Sequence, residues 1–442
     1  MGNRDNMTVR QYPMYENSLE SMPREELTSL QLVRLKSTIK AAFRNPFYSE
    51  KLRKAGIETP ADIKTLSDVL RIPFTTKDDL RSAFPVDHLS VPHKEVVRLH
   101  SSSGTTGKPT VIYHTRTDLM HWTELVSRSL VAVGCTEEDI FQNMMTYGLF
   151  TGGLGLHYGA ENLGMMVIPV SSGNTERQVK LMQDFNTTVL HATPSYLLHI
   201  HSYCKANNID VKSLPLRRAV IGAEPHSEDI RKKIENLYDI DVYNCYGLSE
   251  LNGPGVAFEC LEKHDMHVWE DSYIAEIIDP ETEEPLPDGE EGELVLTSLG
   301  RAAVPLLRYR TRDLTSINPE LCKCGRTHRR IRRIKGRTDD MMIINGVNVY
   351  PSQIEEVLMR FSEIGTNYRI EIEKKGALDL CIIKTEVNAS VFSDDARNLN
   401  ALRERIQERV KSAVFIHPRV ELHEPGVLPV SVGKAVRVVD NR

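Results

Sequence analysis

The chain has 442 residues, of which 40% are hydrophobic and 26% charged, with a formal net charge of −6. That length fits two or three domains, and that composition fits a folded globular protein. The acidic balance excludes a general attraction to nucleic acid or to an anionic membrane. The opening stretch "MGNRDNMTVRQYPMYENSLESM" has no apolar segment, so no signal peptide is expected. "MGNRDN" lacks the Ser or Thr of a myristoylation signal, and no run of about 18 apolar residues offers a membrane span. A cytoplasmic protein is expected.

Residues 24–45 repeat apolar positions at helical spacing and predict a surface helix packed on a core. "VIPVSSGN" (167–174) reads as a buried strand running into a polar loop. Residues 175–207 then read helix, strand ("TVLHAT"), helix. "LRRAVIGAEP" (216–225) is a strand ending in a loop, followed by the helix "SEDIRKKIENLY" and the strand "DVYNCYG". Strand and helix alternating at this spacing predict an α/β fold with a mainly parallel sheet and right-handed crossovers. Ligands of such sheets sit at the carboxyl ends of the strands, where "GAEP" and "YGLSE" both fall. After about Asp271 the pattern becomes strand, turn-rich loop, strand, an antiparallel part. The last hundred residues carry a helix (351–361), two strands (367–374 and 378–387), a charged helix (400–414) and a strand (419–425). They predict a small α+β domain, with the boundary near Gly336: 1–335 and 336–442.

"HSSSGTTGKPTVIY" (100–113) concentrates hydroxyls, glycines and one lysine between β-forming segments. It is not a Walker A loop. Only two residues separate Gly104 from Gly107, and Pro109 follows Lys108. Proline disfavours helix in the residue before it, so no phosphate-binding helix starts here. A loop rich in backbone N–H groups, with one cation, can still close over phosphates. A polar surface turn is the plain alternative.

The ordered set "SSSGTTGKPT", "YGLFTGGLGLHYG", "GAEP", "YGLSE", "YRTRD", "GRTDD" and a lysine near the C-terminus resembles the adenylate-forming enzymes. "YGLFTGGLGLHYG", "CKCGRTHRRIRRIKGRTDDMMIINGVNVYPSQIEEVL" and "LPVSVGKAVRVVDNR" look like the phenylacetate–CoA ligase branch, from about residue 10 to the end. The resemblance implies activation of an aryl acid by ATP to an acyl-adenylate, then transfer to CoA. It implies a large N-terminal domain and a mobile C-terminal lid. Ser101, Ser102, Ser103, Gly104, Thr105, Thr106, Gly107 and Lys108 would grip the phosphates. Gly222, Ala223, Glu224 and Pro225 would line the adenine, although Glu224 reads equally well as an anion at a helix start. Tyr246, beside Gly247, would stack on adenine, and Glu250 would hold Mg²⁺. Asp313 would accept from the ribose hydroxyls, and Arg337 would reach ribose or phosphate. Asp339 matches the hinge. Lys434 matches the mobile catalytic lysine, and the β-formers after it predict an ordered hairpin. Tyr147, Phe150, Gly152, Gly153 and Gly155 would shape the acyl pocket, the glycines leaving room for a flat ring.

Seven scattered cysteines argue against a disulfide framework. Cys322 and Cys324 lie one residue apart in a polar loop. With Cys260 and His264 or His267 they would form a Cys₃His structural zinc site. The resemblance favours His267. The basic run Arg326–Arg337 is too short to predict nucleic-acid binding. By resemblance it lies at the domain junction, near the CoA phosphates. The expected partners are the aryl acid, ATP and CoA, with a homodimer left open. Two rival readings are a ligase that loads a carrier protein and a non-catalytic, zinc-stabilised nucleotide-binding protein.

Overall fold

Between residues 140 and 248 the expected alternation of strand and helix holds. Strands Met166–Ile168, Ile140–Asn143, Val189–Ala192, Arg218–Ile221 and Asp241–Leu248 lie side by side and parallel, in that order. Val189–Ala192 is buried on both faces, its one polar residue, His191, held by Asn143 Oδ1 at 2.9 Å. The crossover helices start at side-chain caps. Thr193 accepts from the Tyr196 N–H with Pro194 in the first turn, and Ser227 accepts from the Ile230 N–H. Gly253–Phe258 turns back antiparallel against Asp241–Leu248. Met266–Val268, Arg330–Ile331 and Ile317–Asn318 extend this sheet to nine strands. The structure is a computed structural model describing residues 12–102, 109–376, 378–388, 396–429 and 437–442.

The antiparallel part expected after Asp271 is a four-stranded sheet of Tyr273–Ile278, Gly292–Ser298, Tyr309–Thr315 and Gly336–Arg337. Strands Val96–Ser102 and Thr110–Thr115 form a separate antiparallel pair around the Ser/Thr/Gly loop. After Pro109 the chain enters a strand, not a helix, as the sequence predicts. The N-terminal helix is shorter than expected, Arg24–Ala42. Asn45 ends it by capping a second helix, Pro46–Lys54, through a hydrogen bond from the Tyr48 N–H.

The C-terminal part has its own apolar cluster, including Ile354, Leu358, Ile370, Ile383, Ile406 and Val410. Its sheet runs Arg419–His423, Leu378–Val387, Ile364–Lys375, Val438–Asp440. The last strand is a correction. Val438–Asp440 joins Ile364–Lys375 in parallel instead of closing a hairpin. Three residues at a chain end carry too little pattern to choose a partner. No helix among the described residues is long and apolar enough to cross a membrane.

The basic run is used mostly inside the large part, and its end, Lys335 to Arg337, meets the small part as expected. Arg326 pairs with Glu20 at 2.7 Å, both side chains fully buried. Arg329 donates to Glu270, which also accepts from Arg24 and from the Arg329 N–H. Arg330 donates to the carbonyls of His264 and Glu320, and Arg333 pairs with Glu228. Buried charges need such partners, so the run braces the N-terminal helix against the sheet edge.

Burial alone would raise the Glu270 carboxyl. The Arg24 hydrogen bond and the Arg329 charge outweigh burial and pull it from 4.5 to about 2. A depressed carboxyl stabilises the fold above its unfolded value and loses that contribution as pH falls toward its folded value. About 3 kcal/mol should disappear between roughly pH 4.5 and 2. Urea unfolding from pH 7 to 2 should show a shallower acid loss in Glu270→Gln than in the parent chain.

Candidate active site

The strand ends expected to bind a ligand open on one cavity of about 160 Å³. Its walls include Gly222 to Pro225 after strand Arg218–Ile221, Tyr246 and Gly247 on Asp241–Leu248, Asp313 on Tyr309–Thr315, and Arg337. Two backbone approaches fix this shape. A Cβ on Gly222 would meet the Cys245 Sγ at 2.7 Å, and one on Gly247 would fall 1.5 Å from the Gly253 carbonyl oxygen. Ala223 sits in the left-handed region at φ +67, a strained position for a residue with a side chain.

The Tyr246 hydroxyl donates to Asp313 Oδ2 at 2.5 Å. Arg337 Nη1 donates to Asp313 Oδ1 at 3.2 Å, while Nε and Nη2 hold both oxygens of Asp339 at 2.8 and 2.9 Å. Burial and the adjacent Asp313 push the Tyr246 phenol well above its usual range. Burial opposes ionisation of Asp339, but the Arg337 guanidinium outweighs it and lowers that carboxyl. Glu224 takes the second of its two readings in an altered form. It accepts from the Ser195 N–H at 2.7 Å and the Ser195 hydroxyl at 3.0 Å, so it caps the start of helix Pro194–Ala206, not the helix that follows it.

Glu250 is buried in the short turn Ser249–Leu251, against which both strands of the Val96–Ser102/Thr110–Thr115 pair pack. Its carbonyl accepts from Arg301 Nη1 at 2.6 Å, and Lys77 Nζ lies 3.8 Å from its carboxylate. The Ser101 N–H donates to the Leu149 carbonyl at 2.9 Å, which joins this pair to the Tyr147–Phe150 loop. Ser101, Glu250 and that loop therefore converge. Ser103 to Lys108 and Lys434 lie outside the described residues. Sequence reasoning missed Lys77 and Arg301. Neither stands in a motif; each is marked only by the side chains it meets in space.

The acyl-pocket glycines need correcting. Gly152, Gly153 and Gly155 lie in helix Thr151–Asn162. A Cβ on Gly153 would meet the Thr146 carbonyl oxygen at 2.6 Å, and one on Gly155 the Trp122 ring at 2.5 Å. The room expected for a ring at those two positions is filled by protein, because this helix packs closely on helix Arg116–Ala132. Gly152 meets only the Met145 methyl, at 3.6 Å. The Tyr147 hydroxyl accepts from Asn143 Nδ2 at 2.9 Å and lies 3.1 Å from His157 Nδ1, and burial lifts its phenol to about 12. Phe150 is 44% exposed, free of the packing that fixes Tyr147.

Cys260, His267, Cys322 and Cys324 come together, all buried, with every ligand atom within 4.8 Å of the others. Cys260 Sγ and Cys322 Sγ are 3.7 Å apart, far beyond a disulfide and close to the ~3.8 Å edge of a tetrahedron of thiolates around an ion. Cys324 Sγ is 3.4 Å from His267 Nε2, and the His328 carbonyl 3.0 Å from His267 Nδ1 fixes the tautomer that leaves Nε2 facing the thiols. The His264 side chain is 74% exposed and stands outside the group. The donor set and its spacing fit a four-coordinate ion.

The model of the AMP-binding enzyme family matches residues 29–302, and that of the AMP-binding enzyme C-terminal domain matches 346–442. The chain belongs to the AMP-binding enzyme family. It is 47% identical over 444 residues to a phenylacetate-coenzyme A ligase of Thermus thermophilus, covering 97% of this chain and 100% of that protein. It is 45% identical to a phenylacetate-coenzyme A ligase of Escherichia coli, covering 96% and 97%. The fold superposes on a 2-hydroxyisobutyryl-CoA ligase in its postadenylation state with a TM-score of 0.92, 29% identity, and coverage of 100% of this chain and 94% of that one. Against the same ligase in its thioesterification state, with CoA, the TM-score is 0.72 at the same identity and coverage. The large and small parts are thus arranged here as in the postadenylation structure.

Packing at the glycines predicts a contrast. Gly155→Ala should lower the free energy of unfolding by about 1–3 kcal/mol, the usual cost of overpacking. Gly152→Ala should leave it unchanged or slightly raised, because the added methyl has space and alanine favours helix. Guanidinium denaturation of the two variants checks this.

Proposed function

We propose that the chain is an ATP-dependent, AMP-forming ligase that joins an aryl acid of the phenylacetate class to CoA. The observation that carries this reading is the Tyr246–Asp313–Arg337 cluster at the strand ends, in a chain 47% identical to a phenylacetate-coenzyme A ligase along nearly its whole length. In the first half-reaction a carboxylate oxygen of the acid attacks the α-phosphorus of ATP and pyrophosphate leaves. In the second, the sulfur of CoA attacks the acyl carbon, AMP departs with the bonding pair, and the thiol proton is released.

Each residue then has a task. Tyr246 offers its ring to adenine between Gly222–Pro225 and the strand. Asp313 accepts from the ribose hydroxyls, with Arg337 beside it to meet ribose or phosphate. Ser101 to Lys108 wrap the outer phosphates, whose backbone N–H groups and lysine suit a polyanion. Glu250 would hold Mg²⁺, which neutralises phosphate charge when bound. Tyr147 and Phe150 face the acyl group. Lys434 stabilises the charge that builds between carboxylate and α-phosphate. The small part begins near Gly336 and turns about Asp339. Cys260, His267, Cys322 and Cys324 hold a structural Zn²⁺, since four protein donors leave no open position. The location that suits these substrates is the cytoplasm.

Pyrophosphate release with ATP and Mg²⁺ across a panel of aryl and alkyl acids, with and without CoA, tests the reading. CoA-dependent turnover on phenylacetate-like acids is expected, and Lys434→Ala should lower the first half-reaction by at least about 100-fold. Release that ignores CoA would favour a carrier-protein acceptor. No release with any acid would leave a nucleotide-binding protein. Metal analysis should find one zinc per chain, and Cys324→Ser should lose both the zinc and several degrees of melting temperature.

A further inference from the structure

Among the described residues, one polar group of the small part that meets the large one is a buried carboxyl. Glu355 lies on helix Pro351–Met359 of the small part and is 6% exposed. It accepts from the Tyr368 hydroxyl at 2.5 Å and lies beside the backbone N–H of Ser227, where its helix packs against helix Glu228–Tyr238 of the large part. Ser227 is the cap of helix Glu228–Tyr238 in the large part. The carboxylate of one part therefore sits on the positive helix start of the other. Glu224 of the large part disfavours ionisation of both Glu355 and Tyr368, and is itself held at the start of helix Pro194–Ala206. Met359, one turn beyond Glu355, packs against the apolar clusters of both parts.

Arg437 meets the same group. The Arg437 guanidinium lies 4.5 Å from the centre of the Tyr368 ring and donates to the Tyr368 carbonyl at 3.3 Å. The Arg437 carbonyl accepts from the Ile370 N–H at 2.7 Å. Arg437 is three residues from Lys434 in the chain. Burying a carboxylate costs free energy unless it is hydrogen-bonded. Glu355 is satisfied by groups from both parts, so its fit depends on this one orientation. If the parts separate, water replaces the Ser227 N–H at little cost, which suits a contact that must open in every cycle.

Resting on the ligase reading, the geometry points to Glu355 as a positioning residue that holds the small part in the adenylate-forming orientation. Its contribution should fall on the first half-reaction and not on the second.

The test measures the two halves separately in the full chain. Pyrophosphate formation from ATP and phenylacetate reads the first. Thioester formation from CoA and supplied phenylacetyl-adenylate reads the second. In Glu355→Gln the first should fall about tenfold, as for loss of one charge-assisted hydrogen bond, and the second should stay within about twofold or rise. Tyr368→Phe keeps the ring packing and should shift the balance the same way. Equal losses in both halves, or an unchanged first half, would overturn the assignment. Spin labels at Lys180→Cys and Lys411→Cys supply a readout that needs no turnover. The interlabel distance should be a single population in the parent chain and broaden in Glu355→Gln, and an unchanged distribution would also overturn it. If the parent chain releases no pyrophosphate with any acid, the ligase reading fails, and the distance measurement alone decides whether Glu355 sets the orientation.

Discussion

The carboxylate of Asp313 joins three parts of the chain that are far apart in sequence. One oxygen takes the Tyr246 hydroxyl from the end of the nine-stranded sheet. The other takes Arg337, at the edge of the antiparallel sheet, and Arg337 in turn clamps Asp339 where the small part begins. Hydrogen bonds to an ionised group are the stronger kind, and a buried phenol left without its acceptor would forfeit its whole desolvation cost. The floor of the cavity, its side wall and the junction to the small part are thus held by one acid–base–acid chain.

The rest of the large part is built so that this chain does not drift. Gly222 and Gly247 bring backbone so close to Cys245 and Gly253 that any side chain would force the strand ends apart. Ala223 holds an unfavourable backbone angle at the rim of the same cavity. Cys322 and Cys324 of the Cys₃His group stand just before Arg326, Arg329 and Arg330, which reach inward. In sequence those arginines look like a basic patch. In space each finds a buried carboxylate or carbonyl, because a guanidinium taken from water must be satisfied where it lies. The small part meets the large one through helix Pro351–Met359, where Glu355 is buried and Met359 packs against the apolar clusters of both.

Much of this was legible along the chain. Alternating apolar strands and amphipathic helices foretold a parallel sheet, and the change after Asp271 foretold an antiparallel one. "GAEP" and "YGLSE" fell at strand ends because strand direction follows from the crossovers. The metal-type quartet was legible because C-x-C in a polar loop has few other uses; the resemblance favoured His267 over His264, and the structure places His267 with the thiols. What could not be read were relations between side chains that share no local pattern. Lys77 beside Glu250 and Arg301 beneath it stand in no motif. The glycines of "TGGLGLHYG" looked like room for a substrate. They are room for Trp122 and for the Thr146 carbonyl, since a missing side chain marks close approach without saying by what.

The sequence by itself determined the class of fold, the two-part organisation, the strand ends where a ligand belongs and the residue types that crowd there. Those follow from periodicity, turn chemistry and the spacing of charged and thiol side chains, which are local properties. Only the tertiary structure decided that Tyr246 and Arg337 share Asp313, that the basic run is an internal brace, and that Glu355 leaves its own part to rest on the helix start at Ser227. Those are long-range pairings, settled when burial removes water from a polar group and the nearest partner in space must replace it.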